Sequence, residues 1–171
     1  MINYDLTKIR AMAFDVDGVL SHPLITLMGG QPIRTANVKD GYALQLAVKS
    51  GYQMAIISGG KGEPTEERYK ALGFQDVYMG CHCKIDVLDE WMAKYGLEPD
   101  EVLYVGDDIP DYEPMKRVGC SCCPSDAAHE IKDIATYVST YGGGEGCARD
   151  VVEQVLRANG HWMSTSEAFG W

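Results

Sequence analysis

No apolar run in this chain approaches the roughly 18 residues that a membrane-spanning helix requires, which argues against a helical membrane protein. The opening stretch MINYDLTKIRAMAF lacks the basic start, apolar centre and small-residue cleavage site of a secretory signal, so a cytoplasmic location is expected. Basic residues are scarce: 15 Lys and Arg stand against 25 Asp and Glu, a net charge of -10. Nucleic-acid binding needs clustered cations to neutralise phosphates, so that class is disfavoured. An acidic surface also repels anionic substrates, and any such substrate needs a locally positive site, for example a metal ion. A second well-spaced cysteine pair is missing as well. Cys120 and Cys123 have the C-x-x-C spacing of a zinc site, but Cys81, Cys83, Cys122 and Cys147 supply no partner pair. Buried thiols are expected instead of zinc or disulfides. No internal repeat or low-complexity block is visible.

What is present suits one globular domain. The chain has 171 residues, 46% hydrophobic and 23% charged. Strands are predicted at 9–16, 53–60, 76–80, 101–108, 120–123 and weakly at 136–140. Helices are predicted at 40–52, 63–74, 84–97, 111–119, 127–135 and 144–160. This alternation implies a doubly wound parallel sheet with helices on both faces, an α/β fold of three layers. Residues 23–38 break the rhythm with two β-leaning runs about Gly29-Gly30, which predicts a hairpin inserted after the first strand. Residues 1–160 read as a single domain and 161–171 as a tail, with Trp162, Phe169 and Trp171 apolar enough to dock.

Ligands of open parallel sheets bind beyond the carboxyl ends of the strands. There the sequence places Asp15 and Asp17, then Ser58, Gly59 and Gly60, then Lys84, and finally Asp107, Asp108 and Asp111. A strand repeats every two residues, so Asp15 and Asp17 are expected to point to the same side. Carboxylates gathered this closely repel, by about 4 kcal/mol at 4 Å and intermediate dielectric. A hard divalent cation such as Mg²⁺ relieves that cost and prefers oxygen ligands. The set divides the labour of phosphoryl transfer: a carboxylate nucleophile, a carboxyl acid/base, a hydroxyl with backbone N–H groups for phosphoryl oxygens, and an ammonium against developing charge. Taken singly, each piece also fits a turn, a cap or a solvated side chain.

DVDGVL (15–20), IISGG (56–60), Lys84 in CKIDVL and GDDIPD (106–111) resemble the four motifs of the haloacid dehalogenase superfamily. NVKDGYAL (37–44), LGFQDVYMG (72–80), GDDIPDYEPMKRVG (106–119) and YGGGEGCARDVVEQVL (141–156) resemble, more narrowly, the 3-deoxy-D-manno-octulosonate 8-phosphate phosphatase family. The resemblance implies a Mg²⁺-dependent phosphatase of lipopolysaccharide sugar biosynthesis, without a cap domain and assembled as a homotetramer. It implies Asp15 as nucleophile and Asp17 as general acid/base. The metal would lie on Asp15, the Asp17 carbonyl and Asp107, with Asp108 and Asp111 beside it and Asp111 orienting Lys84. Ser58, Gly59 and Lys84 would hold phosphate, and Arg68 the sugar-acid carboxylate. Ser58, Gly60 and Gly62 depart from the threonine, arginine and serine usual in the second motif. Three alternatives stay open: a nonulosonate 9-phosphate phosphatase, a phospho-acceptor signalling domain and a non-catalytic assembly domain.

Overall fold

The computed structural model describes residues 1–29, 31–164 and 166–170, without the side chains of Gln31 and Glu167. Six strands form one sheet in the order β5-β4-β1-β6-β7-β8. They are β1 (Ala11–Phe14), β4 (Gln53–Ser58), β5 (Asp76–Met79), β6 (Val102–Val105), β7 (Cys120–Cys123) and β8 (Tyr137–Val138). Every pairing is parallel. β2 (Thr26–Met28) and β3 (Gln31–Ile33) pair antiparallel as a separate hairpin, the insertion after the first strand. Its turn glycine Gly30 lies outside the described residues. Among those residues there is no cap domain; this is the three-layer α/β fold expected.

Strand alternation makes the two cores. Met12 and Phe14 of β1, with Met54 and Ile56 of β4 and Leu103 and Val105 of β6, face one layer. That layer comprises α1 (Val38–Lys49), α2 (Glu63–Ala71) and α6 (Cys147–Ala158). Ala11, Ala13, Ala55, Ile57, Val102 and Tyr104 face the other, built from α3 (Lys84–Tyr95), α4 (Tyr112–Arg117) and α5 (His129–Ile134). A strand buried on both faces must be apolar throughout, as AMAF is. Trp91 of α3 is fully buried against these alanines, and its truncation to alanine would cost about 3–5 kcal/mol.

The cysteines are free thiols. Cys120 and Cys122 enter one core and Cys123 the other, so strand geometry separates the C-x-x-C pair across the sheet. β7 runs as predicted, α1 begins two residues before its predicted start, and most other predicted ends overran by one to three residues, into glycine- and aspartate-rich turns where ladder or helix pairing has already stopped. The tail does not hang free. Trp162 stacks edge-on to Tyr42 at 5.9 Å and lies under the Arg149 guanidinium at 4.5 Å. The Tyr42 hydroxyl donates to the carbonyl of Ala168, which is buried. Phe169 is exposed, and Trp171 lies outside the described residues. No helix among the described residues is long and apolar enough to cross a membrane.

Candidate active site

The chain leaves β1 to β4 and β5 on one side, then returns to β6 on the other. The switch point therefore lies beside β1, and Asp15 and Asp107 follow the two strands that flank it. Asp15 still donates its N–H to the Val105 carbonyl at 3.0 Å, which extends the ladder by one residue. Asp17 does not arrive by strand alternation, since β1 stops at Phe14. A turn brings it round: the Val16 carbonyl accepts from the N–H groups of Val19, Leu20 and Ser21 at 3.2, 2.9 and 2.9 Å. Gly18 sits in that turn at φ +88, and a Cβ there would stand 2.0 Å from Asp107 Oδ2. From the far end of the chain, Gly143 rests on the same turn, where its own Cβ would stand 2.0 Å from the Gly18 carbonyl oxygen. Gly144 N–H donates to the Val19 carbonyl at 2.8 Å.

Lys84, the first residue of α3, is buried and lies 3.1 Å from Asp15 Oδ1 and 2.7 Å from Asp111 Oδ1. Asp111 is saturated: Oδ1 also accepts from the Tyr104 hydroxyl at 2.7 Å, and Oδ2 from the Asp107 N–H at 3.2 Å. Burial alone would push the Lys84 ammonium down, but Asp15 and Asp111 outweigh it and hold the group charged. Burial, then the Asp111 charge, raises Asp15 to about 6 against the opposing pull of Lys84. Burial, then Asp15 and Asp111, raises Asp107 to about 8.

These groups open onto a cavity of about 640 Å³ lined also by Asp17, Ser58, Gly59, Gly60, His82 and Asp108. Ser58 ends β4, buried, with its Oγ accepting from Gly60 N–H at 3.2 Å. Asp15, Asp17, Ser58, Gly59, Lys84, Asp107, Asp108 and Asp111 are thus brought together. Arg68 is not. Its guanidinium lies over Gly41 of α1, 2.6 Å from where a Cβ would stand, and lines a separate crevice with Asn37 and Asp40. Two residues here escaped the sequence reading. Tyr104 carried a usable signal, because a tyrosine in a fully buried strand needs a partner for its hydroxyl. Arg34 carried none; it reaches Asp17 from the hairpin segment.

The residues present fit a hard divalent cation. Oxygens of Asp15, Asp107 and Asp111 lie within 4.8 Å of one another. Asp15 Oδ1 is buried without an aligned hydrogen-bond donor among the described residues, Lys84 being near but misdirected. The raised Asp107 carboxyl marks more negative charge than the pocket can hold alone. Asp15 and Asp107 have oxygens to offer; those of Asp111 are already committed.

A family model described as haloacid dehalogenase-like hydrolase matches residues 39–124, and the chain belongs to that family. It is 37% identical over 154 residues to the 3-deoxy-D-manno-octulosonate 8-phosphate phosphatase KdsC of Escherichia coli, covering 90% of this chain and 82% of the relative. A probable YrbI family phosphatase from Pseudomonas syringae superposes with TM-score 0.91 at 35% identity, over 96% of this chain and 94% of the other. The phosphatase from Moraxella catarrhalis, solved with magnesium, phosphate and KDO, gives 0.87 at 31%, over 90% of this chain and 89% of the other.

Proposed function

We propose that this chain is a Mg²⁺-dependent phosphatase that releases 3-deoxy-D-manno-octulosonate from its 8-phosphate, a step of lipopolysaccharide sugar biosynthesis. One observation carries the reading. The Asp15 carboxylate is buried between Lys84 and Asp107 at the mouth of a cavity that also presents Asp17 and Ser58. The similarity to phosphatases of that name supplies the substrate.

In this reading an Asp15 oxygen attacks phosphorus, and the bond from phosphorus to the sugar oxygen breaks. Asp17 gives its proton to the departing alkoxide, then takes one from the water that attacks the aspartyl-phosphate and frees Asp15 and phosphate. Lys84 neutralises charge on Asp15 and on the transferring group, while Ser58 and the Gly59 N–H hold phosphoryl oxygens. Asp15, Asp107 and the Asp17 carbonyl would hold Mg²⁺, which when bound offsets the carboxylate repulsion and withdraws charge from the phosphoryl oxygens. Asp108 and Asp111 support the acidic loop, and Asp111 aims Lys84. Asp17 in the same cavity as Asp15, two residues on, favours turnover over a phospho-acceptor role, and the intact Asp15, Asp17, Lys84 and Asp107 argue against a non-catalytic assembly role. Arg68 lines a separate crevice, which supports leaving it out of the reaction within one subunit.

We also read residues 1–160 as one catalytic unit with 161–171 appended, working in the cytoplasm. The exposed apolar side chains of Leu24, Leu27 and Met28 on the hairpin support assembly with further copies, a homotetramer by resemblance. The test is phosphate release from the octulosonate 8-phosphate, side by side with a nonulosonate 9-phosphate. We expect the former to have the higher kcat/KM, and Asp15→Asn to lose at least roughly a thousandfold. A chelator should abolish turnover, with Mg²⁺ restoring it and Ca²⁺ doing so poorly. Faster turnover of the nine-carbon substrate would transfer the assignment to it, and an active Asp15→Asn would remove the nucleophile.

A further inference from the structure

Asp17 is held by a residue that the reaction above leaves unused. Arg34, just past β3, donates from Nε to Asp17 Oδ1 at 2.6 Å and from Nη2 to Oδ2 at 2.9 Å. Its Nη1 donates to the Lys61 carbonyl at 2.8 Å, so one guanidinium joins the hairpin, the acidic turn and the loop after β4. The Arg34 side chain is only 8% exposed. A planar fork meeting both oxygens fixes the plane and the position of a carboxylate, which a single-point partner does not.

The loop after β4 is shaped to admit this clamp. Gly60 has no positive φ, so its backbone does not require glycine. A Cβ there would stand 2.5 Å from Arg34 Nη2 and 2.8 Å from Asp17 Oδ2. At Gly62 a Cβ would stand 3.2 Å from Arg34 Nη1. The space left by the missing side chain at 60 is the space the guanidinium fills. Arg34 does not line the cavity; its hydrogen bonds go to Asp17 and to the Lys61 carbonyl.

We propose that Arg34 is a positioning residue for this site: its two-point clamp aims the Asp17 carboxyl, whose Oδ2 keeps a second lone pair for the proton it exchanges, and Gly60 leaves the room the clamp needs. The proposal rests on the phosphatase reading with Asp17 as acid/base. A displacement of a reacting group by about 1 Å costs on the order of a hundredfold in rate, which sets the scale.

The test measures kcat and KM with saturating Mg²⁺ for wild type, Arg34→Met, Arg34→Lys, Gly60→Ala, Asp17→Asn and the Arg34→Met/Asp17→Asn double variant. Arg34→Met should lower kcat by about 30- to 100-fold with KM changed less than about threefold. Arg34→Lys should recover part of that loss. Gly60→Ala, which keeps every charge, should show the same kcat-specific defect. In the Asp17→Asn background, Arg34→Met should cost nothing further, because its effect runs through the carboxylate. An equal fold-loss in both backgrounds, or a raised KM with kcat intact, would overturn the positioning role. If Arg34→Met does not fold, Gly60→Ala decides, and unaltered kcat there rejects the proposal. Wild-type turnover by Asp17→Asn would instead bring down the acid/base reading itself, a result distinct from the other failures.

Discussion

Tyr104 and Asp40 are polar groups placed where the chain can least afford to leave them unsatisfied. The Tyr104 hydroxyl is one of three donors to Asp111, beside Lys84 and the Asp107 N–H. Tyr104→Phe removes one donor and leaves a ring of the same shape, so stability should fall by about 1–2 kcal/mol in denaturant titration. Asp40, buried in α1, accepts from Arg149 N–H at 2.7 Å in the first turn of α6 and so caps a helix from outside it. Its other oxygen is buried without a partner among the described residues. Burial raises its pKa to about 6 from an ordinary 3.8, against the opposing pull of Arg149. Between those values the folded chain binds the proton and the unfolded chain does not. Stability therefore falls as pH rises through that window, by up to about 3 kcal/mol. Asp40→Asn removes this dependence. Relative to wild type it should be more stable at pH 8 than at pH 5 in paired urea titrations, and Asp40→Ala should lie about 1 kcal/mol below Asp40→Asn throughout.

At the scale of elements, the strands were legible because doubly buried strands must be apolar and their neighbours must pack. AMAF, QMAIIS and VLYV could hardly be anything else once helical spacing lay between them. The acids after β1 and β6 were legible for the same reason, since carboxylates that end apolar runs have no packing role there. Other features left no local trace. Arg34 is one basic residue in a β-leaning segment, and its partner is 17 residues away across a turn. Arg68 looked suited to a carboxylate, yet helix phase carries it onto Gly41. The tail shows no helical period, because aromatic stacking and cation–π contacts hold it instead of an amphipathic face. Truncation after Gly160 should therefore lower the unfolding midpoint, by about 1–3 kcal/mol in stability. Within one subunit it should leave the cavity unchanged, because none of the described tail residues lines it. Scanning calorimetry of the truncated chain checks the first expectation, and single-turnover rates the second.

Across the whole molecule, an acidic chain has to bring in an anionic substrate. The net charge of -10 repels it at long range, and Lys84 is too buried to reach far into solvent. Rising ionic strength should therefore increase kcat/KM on a sugar-acid phosphate at fixed Mg²⁺, measured from about 20 to 200 mM salt, as repulsion is screened. The hairpin segment is where the proposed assembly would find its contact. Leu24 and Leu27 are 88% and 79% exposed, which is costly in water unless another surface meets them. Replacing both with glutamate should reduce the sedimenting mass. An unchanged mass would place any subunit contact elsewhere.

The contact of Gly143 with the Gly18 carbonyl has a bearing on engineering. Two segments 125 residues apart in the chain meet there with no room for even a methyl group, so neither can be exchanged independently. A chimera that takes its first fifty residues from another parent should inherit a misfitting seam unless the glycine run at 142–144 comes from that parent too.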